Sequence, residues 1–150
     1  MREFKNILFP VDLSESSSKI VPYVRAVARR FESRIHLLFV ARIFDYFTGI
    51  YVPAATITTV QKEIMEGAEK KLEEFVVQYF NDYQEVSPSV VAGDATDRII
   101  NYITSNEIDL VIMGTHGRKG LDKVIFGSVA ERVVKTAPVP VMVVNPHKID

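Results

Sequence analysis

The sequence predicts an open, doubly wound α/β fold: a five-stranded, mostly parallel sheet with about four helices on its two faces. Three observations predict it. Short continuous apolar runs recur along the chain, as in strands buried on both faces. They alternate with segments whose apolar residues step by threes and fours, the period of a helix. A glycine-rich stretch, Met113 to Ser128 (MGTHGRKGLDKVIFGS), joins one such run to one such segment.

The elements follow in order. Asn6 to Val11 (NILFPV) is a first strand, ended by Asp12. Ser14, Ser16, Ser17 and Ser18 are a cluster of helix N-cap formers. Ile20, Val24, Val27, Ala28 and Phe31 then mark a helix. Pro22 is awkward inside it, so the helix either begins just before Pro22 or kinks there. Arg34 to Ala41 is a second strand. Ile57, Val60, Ile64, Ala68, Leu72, Phe75, Val76 and Tyr79 line one face of a long helix. Its other face carries Lys62, Glu63, Glu66, Lys70 and Glu74 and is solvated. Val86 to Ala92 is a third strand, weakened at its start by Ser87 and Pro88. Gly93-Asp94 makes a turn, with Asp94 and Thr96 both able to cap the next helix, whose inner face is Ile99, Ile100 and Ile103. Ile108 to Met113 is a fourth strand. A fourth helix runs from about Ser128 to Thr136, stopped by Pro138, and Val139 to Val144 is a fifth strand. Alternation at this spacing implies right-handed βαβ units.

At 150 residues, with no linker, repeat or low-complexity segment, the chain reads as one domain over 1–150. Hydrophobic residues make up 47% and charged residues 25%, as in ordinary globular proteins. A net charge of −1 gives no argument for broad nucleic-acid or anionic-membrane binding. The absence of cysteine excludes disulfides, thiolate zinc sites and cysteine nucleophiles. The stretch MREFKNILFPVD lacks a secretory h-region. No apolar run approaches the roughly 18 residues of a membrane helix. The expected compartment is the cytoplasm.

In open parallel sheets, ligands bind beyond the carboxyl ends of the strands, where the strand order reverses. The candidates are therefore Asp12, Val40-Ala41-Arg42, Gly93-Asp94 and Gly114 onward. Four of the seven glycines, Gly114, Gly117, Gly120 and Gly127, fall in the last of these. A backbone without Cβ atoms can fold tightly and point several N–H groups inward. Such a nest before a helix N-terminus attracts phosphate. Ser128-Val129-Ala130-Glu131 reads as a capping box, with Ser128 as N-cap. Its hydroxyl either caps the helix or faces a phosphate. Neither a Walker P-loop nor a G-x-G-x-x-G fingerprint is present, so the glycines alone leave a bare loop and a phosphate site both open.

The spacing Gly114-x2-Gly117-x9-Gly127-Ser128 resembles the G-x2-G-x9-G-[ST] pattern of the ATP-binding branch of the universal stress protein family. FPVDLSESS resembles that family's opening, and VIMGTHGRKGLDKVIFGSVAERVVKTAPVPVMVV its C-terminal half. The resemblance covers residues 4–145 and is weakest over Arg42 to Pro53. It implies a strand order of 3-2-1-4-5, with Asp12 and Gly114 flanking the switch. It also implies an ATP pocket there. Asp12 would hydrogen-bond the ribose or base side, and the backbone of Val40 would meet the adenine edge. Pro10 and Val11 would wall the pocket, and Met113 and Gly114 would border the ribose. Gly117, Gly127, Ser128 and Val129 would present N–H groups and one hydroxyl to the phosphates. A Mg2+ or Mn2+ ion would be held mainly by those phosphates.

Each role has a plainer competitor. Asp12 can cap the first helix, and Val40 is a core residue in any case. Of Arg118, Lys119 and Lys123, at most one is expected at the phosphates. His116 can be imagined as a base, but no orienting carboxylate stands at fixed spacing, so its backbone is expected to shape the nest. His36 and His147 are too scattered from it to make a metal site. The chain thus reads as a nucleotide-dependent regulatory protein of a stress response. A slow ATPase or phosphotransferase and a dimeric scaffold without nucleotide are the alternatives. Phosphoryl transfer needs a positioned nucleophile that the sequence does not offer. The apolar strand Val139 to Val144, with Pro138 and Pro140 at its start, is an edge that invites pairing, and the resemblance implies a homodimer through it. Phe44, Tyr46, Phe47 and Tyr51 either pack on the second helix, form a lid, or make a patch for another protein.

Overall fold

The computed structural model describes residues 3–43, 51–115 and 127–148. Its elements are β1 (Asn6–Pro10), α1 (Glu15–Phe31), β2 (Arg34–Ala41), α2 (Ala54–Phe80), β3 (Val86–Ala92), α3 (Ala95–Ser105), β4 (Leu110–Gly114), α4 (Ser128–Thr136) and β5 (Val141–Val144). The strands form one sheet in the order β3-β2-β1-β4-β5, and all four pairings are parallel. The sheet is thus wholly parallel where the sequence promised mostly so.

The apolar runs of β1 and β4 follow from burial on both faces. Side chains alternate across a strand, so consecutive residues serve opposite cores. Ile7, Phe9, Leu110 and Ile112 pack with Ile20, Val21 and Val24 of α1 and with Leu72 and Phe75 of α2. Leu8, Val111 and Met113 pack on the other face with Ile99 and Ile103 of α3 and Ala130 and Val133 of α4. Two helices on each face, with β1 central, is the doubly wound arrangement expected.

Several boundaries differ from the sequence reading. β1 stops at Pro10, although the Val11 N–H still reaches the Leu38 carbonyl at 2.9 Å. β4 begins at Leu110 and runs on to Gly114. β5 begins at Val141, not Val139. Pro138 and Pro140 have no N–H to give to a ladder, and Pro140 joins it only by accepting from Val111 N–H at 3.0 Å. α1 runs unbroken through Pro22, so it does not begin there. Pro22 lies on the exposed side, where water can serve the carbonyl that a proline nitrogen cannot. Asp94, not Thr96, caps α3, accepting from Asp97 N–H at 3.0 Å, while Thr96 is buried. Lys62, Glu63, Glu66, Lys70 and Glu74 are all exposed, as read. Tyr51 is 93% exposed and does not pack on α2. Phe44, Tyr46 and Phe47 lie outside the described residues. Among the described residues, no helix is long and apolar enough to cross a membrane.

Candidate functional site

β1 is flanked by β2 on one side and β4 on the other. The chain leaves β1 toward β2 and later returns to β4, so the strand order reverses between β1 and β4. That crevice is where a parallel sheet of this kind offers room for a ligand. Five of the candidate residues stand at its two lips. Pro10 and Asp12 are half-buried and Val11 is buried at the end of β1; Met113 is buried and Gly114 half-buried at the end of β4.

The Asp12 side chain is held by the first turn of α1. Its Oδ1 accepts from Ser14 N–H at 3.0 Å, from Ser14 Oγ at 2.5 Å and from Ser17 Oγ at 2.8 Å. Asp12 N–H donates in turn to Ser17 Oγ at 3.0 Å. The helix cap itself is Ser14, whose Oγ accepts from Ser16 N–H at 3.2 Å. Asp12 is therefore not the cap: the plainer of its two readings fails because Ser14 does that work. Leu13 turns the corner with φ +62°, a left-handed conformation that costs a branched residue energy.

Val40 enters the site through the ladder's alternation. Arg34 N–H bonds the Lys5 carbonyl and the Leu38 carbonyl accepts from Val11 N–H, so even-numbered residues of β2 turn toward β1. Ile35 N–H and the Ala41 carbonyl bond the β3 side, so odd-numbered ones turn away. Backbone groups two residues apart share a side. Val40 thus aims its N–H and C=O toward the β1 side, past β1's last residue, Pro10.

The ends of the glycine stretch meet. Thr115 N–H donates to the Val144 carbonyl at 2.9 Å, and Gly127 N–H donates to the Thr115 carbonyl. This brings the start of α4 against the end of β4. His116, Gly117, Gly120, Arg118, Lys119 and Lys123 lie outside the described residues. At α4 the capping box is not formed. Gly127 is the N-cap and offers no side chain, so Ser128 is the first helical residue. Glu131, which would have reached back to complete the box, instead accepts from Lys135 at 3.0 Å, one turn further on. Its N–H takes the Gly127 carbonyl at 2.9 Å. The N–H groups of Ser128, Val129 and Ala130 then have no intrahelical acceptor. The Ser128 hydroxyl is exposed and not spent on capping. Three N–H groups at the positive end of a helix dipole suit an anion.

A second titratable group, around His36, lies within the sheet. His36 Nε2 meets Asn6 Oδ1 at 3.1 Å and Nδ1 meets the Tyr102 hydroxyl at 2.9 Å. With a carbonyl oxygen on one side, Nε2 carries the proton and Nδ1 accepts from Tyr102. Burial, aided by Arg34, pushes the His36 pKa down, and burial pushes the Tyr102 phenol up. His36 is a satisfied core histidine. Among the described residues, no group of three His, Asp or Glu side chains is placed to hold a metal ion.

Sequence reading did not single out Ser14 and Ser17 as partners of Asp12. The signal was present as Asp12-x-Ser14-x2-Ser17 at a strand-to-helix junction, but serines there read first as caps.

An all-parallel, doubly wound sheet in the order 3-2-1-4-5, with Asp12 just past β1 and the start of α4 tied to the end of β4, defines an α/β protein of the Rossmann-like kind. Comparison with known proteins gives the family. The sequence model of the universal stress protein family matches residues 3–145. The chain belongs to that family. Among its relatives is universal stress protein MJ0531 of Methanocaldococcus jannaschii, 28% identical over 97% of this chain and 84% of that one. MJ0577 of the same organism is 27% identical over 95% of each chain. The solved structure of MJ0577 superposes with a TM-score of 0.83 over 96% of this chain and 97% of that one. The universal stress protein from Archaeoglobus fulgidus in complex with dAMP superposes with a TM-score of 0.65 at 17% identity, over 95% and 98%.

Proposed function

We propose that the chain is an ATP-binding member of its family, a single nucleotide-binding domain that acts as a nucleotide-dependent regulator in a stress response. The observation that carries this reading is the start of α4. It has no side-chain cap, Gly127 N–H ties it to Thr115 at the end of β4, and it leaves the Ser128 and Val129 N–H groups and the Ser128 hydroxyl for an anion. The dAMP complex of the Archaeoglobus fulgidus relative makes an adenine nucleotide a reasonable guest for this fold. At that identity it speaks for the fold alone, so the residue roles rest on this chain.

In the proposed complex, Val40 meets the adenine edge with its N–H and C=O, and Pro10 and Val11 wall the pocket. Asp12 accepts from the ribose or base side, and Met113 and Gly114 border the ribose. Gly117, Gly127, Ser128 and Val129 present N–H groups to the phosphates, and the His116 backbone helps shape the nest. Three phosphates suit a run of donors better than one does, which favours a triphosphate. A Mg2+ or Mn2+ ion would bind mainly through phosphate oxygens and water. The sequence offers no convincing base for phosphoryl transfer, so binding rather than turnover is the proposed activity.

The test is the nucleotide the protein carries from its expression host. Acid release from freshly purified protein, followed by mass spectrometry, is expected to give ATP in near-stoichiometric amount. Recovery of ADP alone would shift the reading to an enzyme that hydrolyses its ligand.

A further inference from the structure

We infer that Ser17 is a positioning residue for the nucleotide site, fixing the Asp12 carboxylate in the orientation that receives the ligand. The inference rests on the nucleotide reading above and deepens it.

Ser17 is 6% exposed and sits in the first turn of α1. Its single oxygen makes two bonds to one residue. The hydroxyl donates to Asp12 Oδ1 at 2.8 Å and a lone pair accepts from Asp12 N–H at 3.0 Å. Backbone and side chain of Asp12 are thereby tied to the same atom. That closes a ring through Asp12 and fixes its χ1 angle. Ser14 adds two more donors to the same Oδ1. An oxygen with three donors is saturated. The same bonds set which way the carboxylate as a whole is turned. Leu13, held at φ +62°, is the linker that lets the strand end and the helix start approach closely enough for this ring. Hydrogen bonds to a charged group are among the stronger neutral-to-ion contacts. Held in advance, Asp12 need not be ordered when the ligand arrives.

The test has two arms. In ligand-free protein, three-bond couplings across the Asp12 χ1 angle report how many rotamers it visits. Wild type is expected to show one rotamer, and Ser17→Ala an averaged value. ATP titrations then form a double-mutant cycle with Asp12→Ala. Ser17→Ala is expected to weaken ATP about tenfold alone and by much less in the Asp12→Ala background, since a charged hydrogen bond is at stake. Ser17→Cys, which restores a weak donor and acceptor of similar size, is expected to recover part of the loss. Equal losses in both backgrounds would overturn the inference, because Ser17 would then act through folding alone. So would a single Asp12 rotamer in Ser17→Ala, or an averaged one in wild type. A wild type that holds one rotamer, lost in Ser17→Ala, but binds no ATP would defeat the ATP reading while leaving the positioning role standing.

Discussion

Gly93 adopts φ +140°, a region that side chains with a Cβ rarely enter. A Cβ added there would stand 2.7 Å from Arg98 Nε. The conformation lets Gly93 N–H reach the Ala41 carbonyl at 3.1 Å, so the turn seals the end of the β2–β3 pair. Gly93→Ala is expected to destabilise the protein by about 1–3 kcal/mol, mostly as backbone strain. Urea denaturation measures it, and an unchanged midpoint would refute the need for glycine. This turn was legible in the sequence, because Gly-Asp after an apolar run has few other uses. Leu13 was not. It takes a comparable left-handed conformation without being glycine, and nothing in its residue type announces that. The same holds for Ser17: a buried serine and a capping serine are written alike, and only the geometry separates Ser14 from Ser17.

Two of the polar ties between elements respond to acid. Arg25 of α1 grips Asp82, just past α2, through both carboxylate oxygens at 2.8 and 2.7 Å. It also donates to the Tyr79 carbonyl at 2.9 Å. The hydrogen bonds from Arg25 hold the Asp82 carboxyl down at about 2, against an ordinary value of 3.8. A lowered carboxyl pKa gives stability that is present above 3.8 and is lost as pH falls toward 2. Asp82 is exposed, so the pair's share is small and sensitive to salt. His36 works in another window. Its pKa is lowered from 6.5 by burial, so the unfolded chain takes up the proton first. Stability therefore falls as pH drops below 6.5, until the folded form also protonates. Thermal denaturation across pH is expected to show two regions of decline. His36→Gln should flatten the upper one and Asp82→Asn the lower. Profiles unchanged by both variants would show that these groups do not couple folding to pH.

Element limits were the least legible feature of the sequence, and the reasons are local. Ser128-Val129-Ala130-Glu131 fits a capping box by residue type, yet Glu131 is taken by Lys135 and the helix starts one residue earlier than the box requires. Val139 reads as strand by composition, yet the prolines beside it delay the ladder to Val141. In both places a neighbouring side chain or a missing N–H outweighed propensity. The first of these errors lies at the candidate site itself. The failed box in fact leaves the α4 N–H groups for the anion that the site is proposed to bind.

At the scale of the molecule, the alternation of strands and helices carried the α/β class directly, because burial on both faces leaves so plain a mark. The order of strands came only with the family resemblance, since periodicity does not say which strand is central. The 3-2-1-4-5 order then put Asp12 and Gly114 on the two sides of the switch, with Val40 on the strand next to β1, although 28 residues separate Asp12 from Val40 and 74 separate Val40 from Gly114 in number. The far edge of the sheet suggests a partner. The Val144 carbonyl bonds Thr115 N–H and the Pro140 carbonyl bonds Val111 N–H, so even-numbered residues of β5 face β4. Val141 and Val143 turn their backbone outward, and among the described residues β5 pairs with β4 alone. We propose that a second copy of the chain pairs there. Sedimentation should find a dimer, and Val143→Pro, which removes one outward N–H, should shift it toward a folded monomer. A monomeric wild type would refute the pairing.

The central claim is that the switch point binds ATP. The measurement that meets it most directly is calorimetric titration of nucleotide-free protein with ATP and Mg2+, beside a Gly117→Val variant of matched thermal stability. The account predicts saturable binding of one ATP per chain in the wild type and a loss of most of that affinity in the variant. Absence of binding to the wild type at millimolar ATP, or equal binding by both proteins, would contradict it.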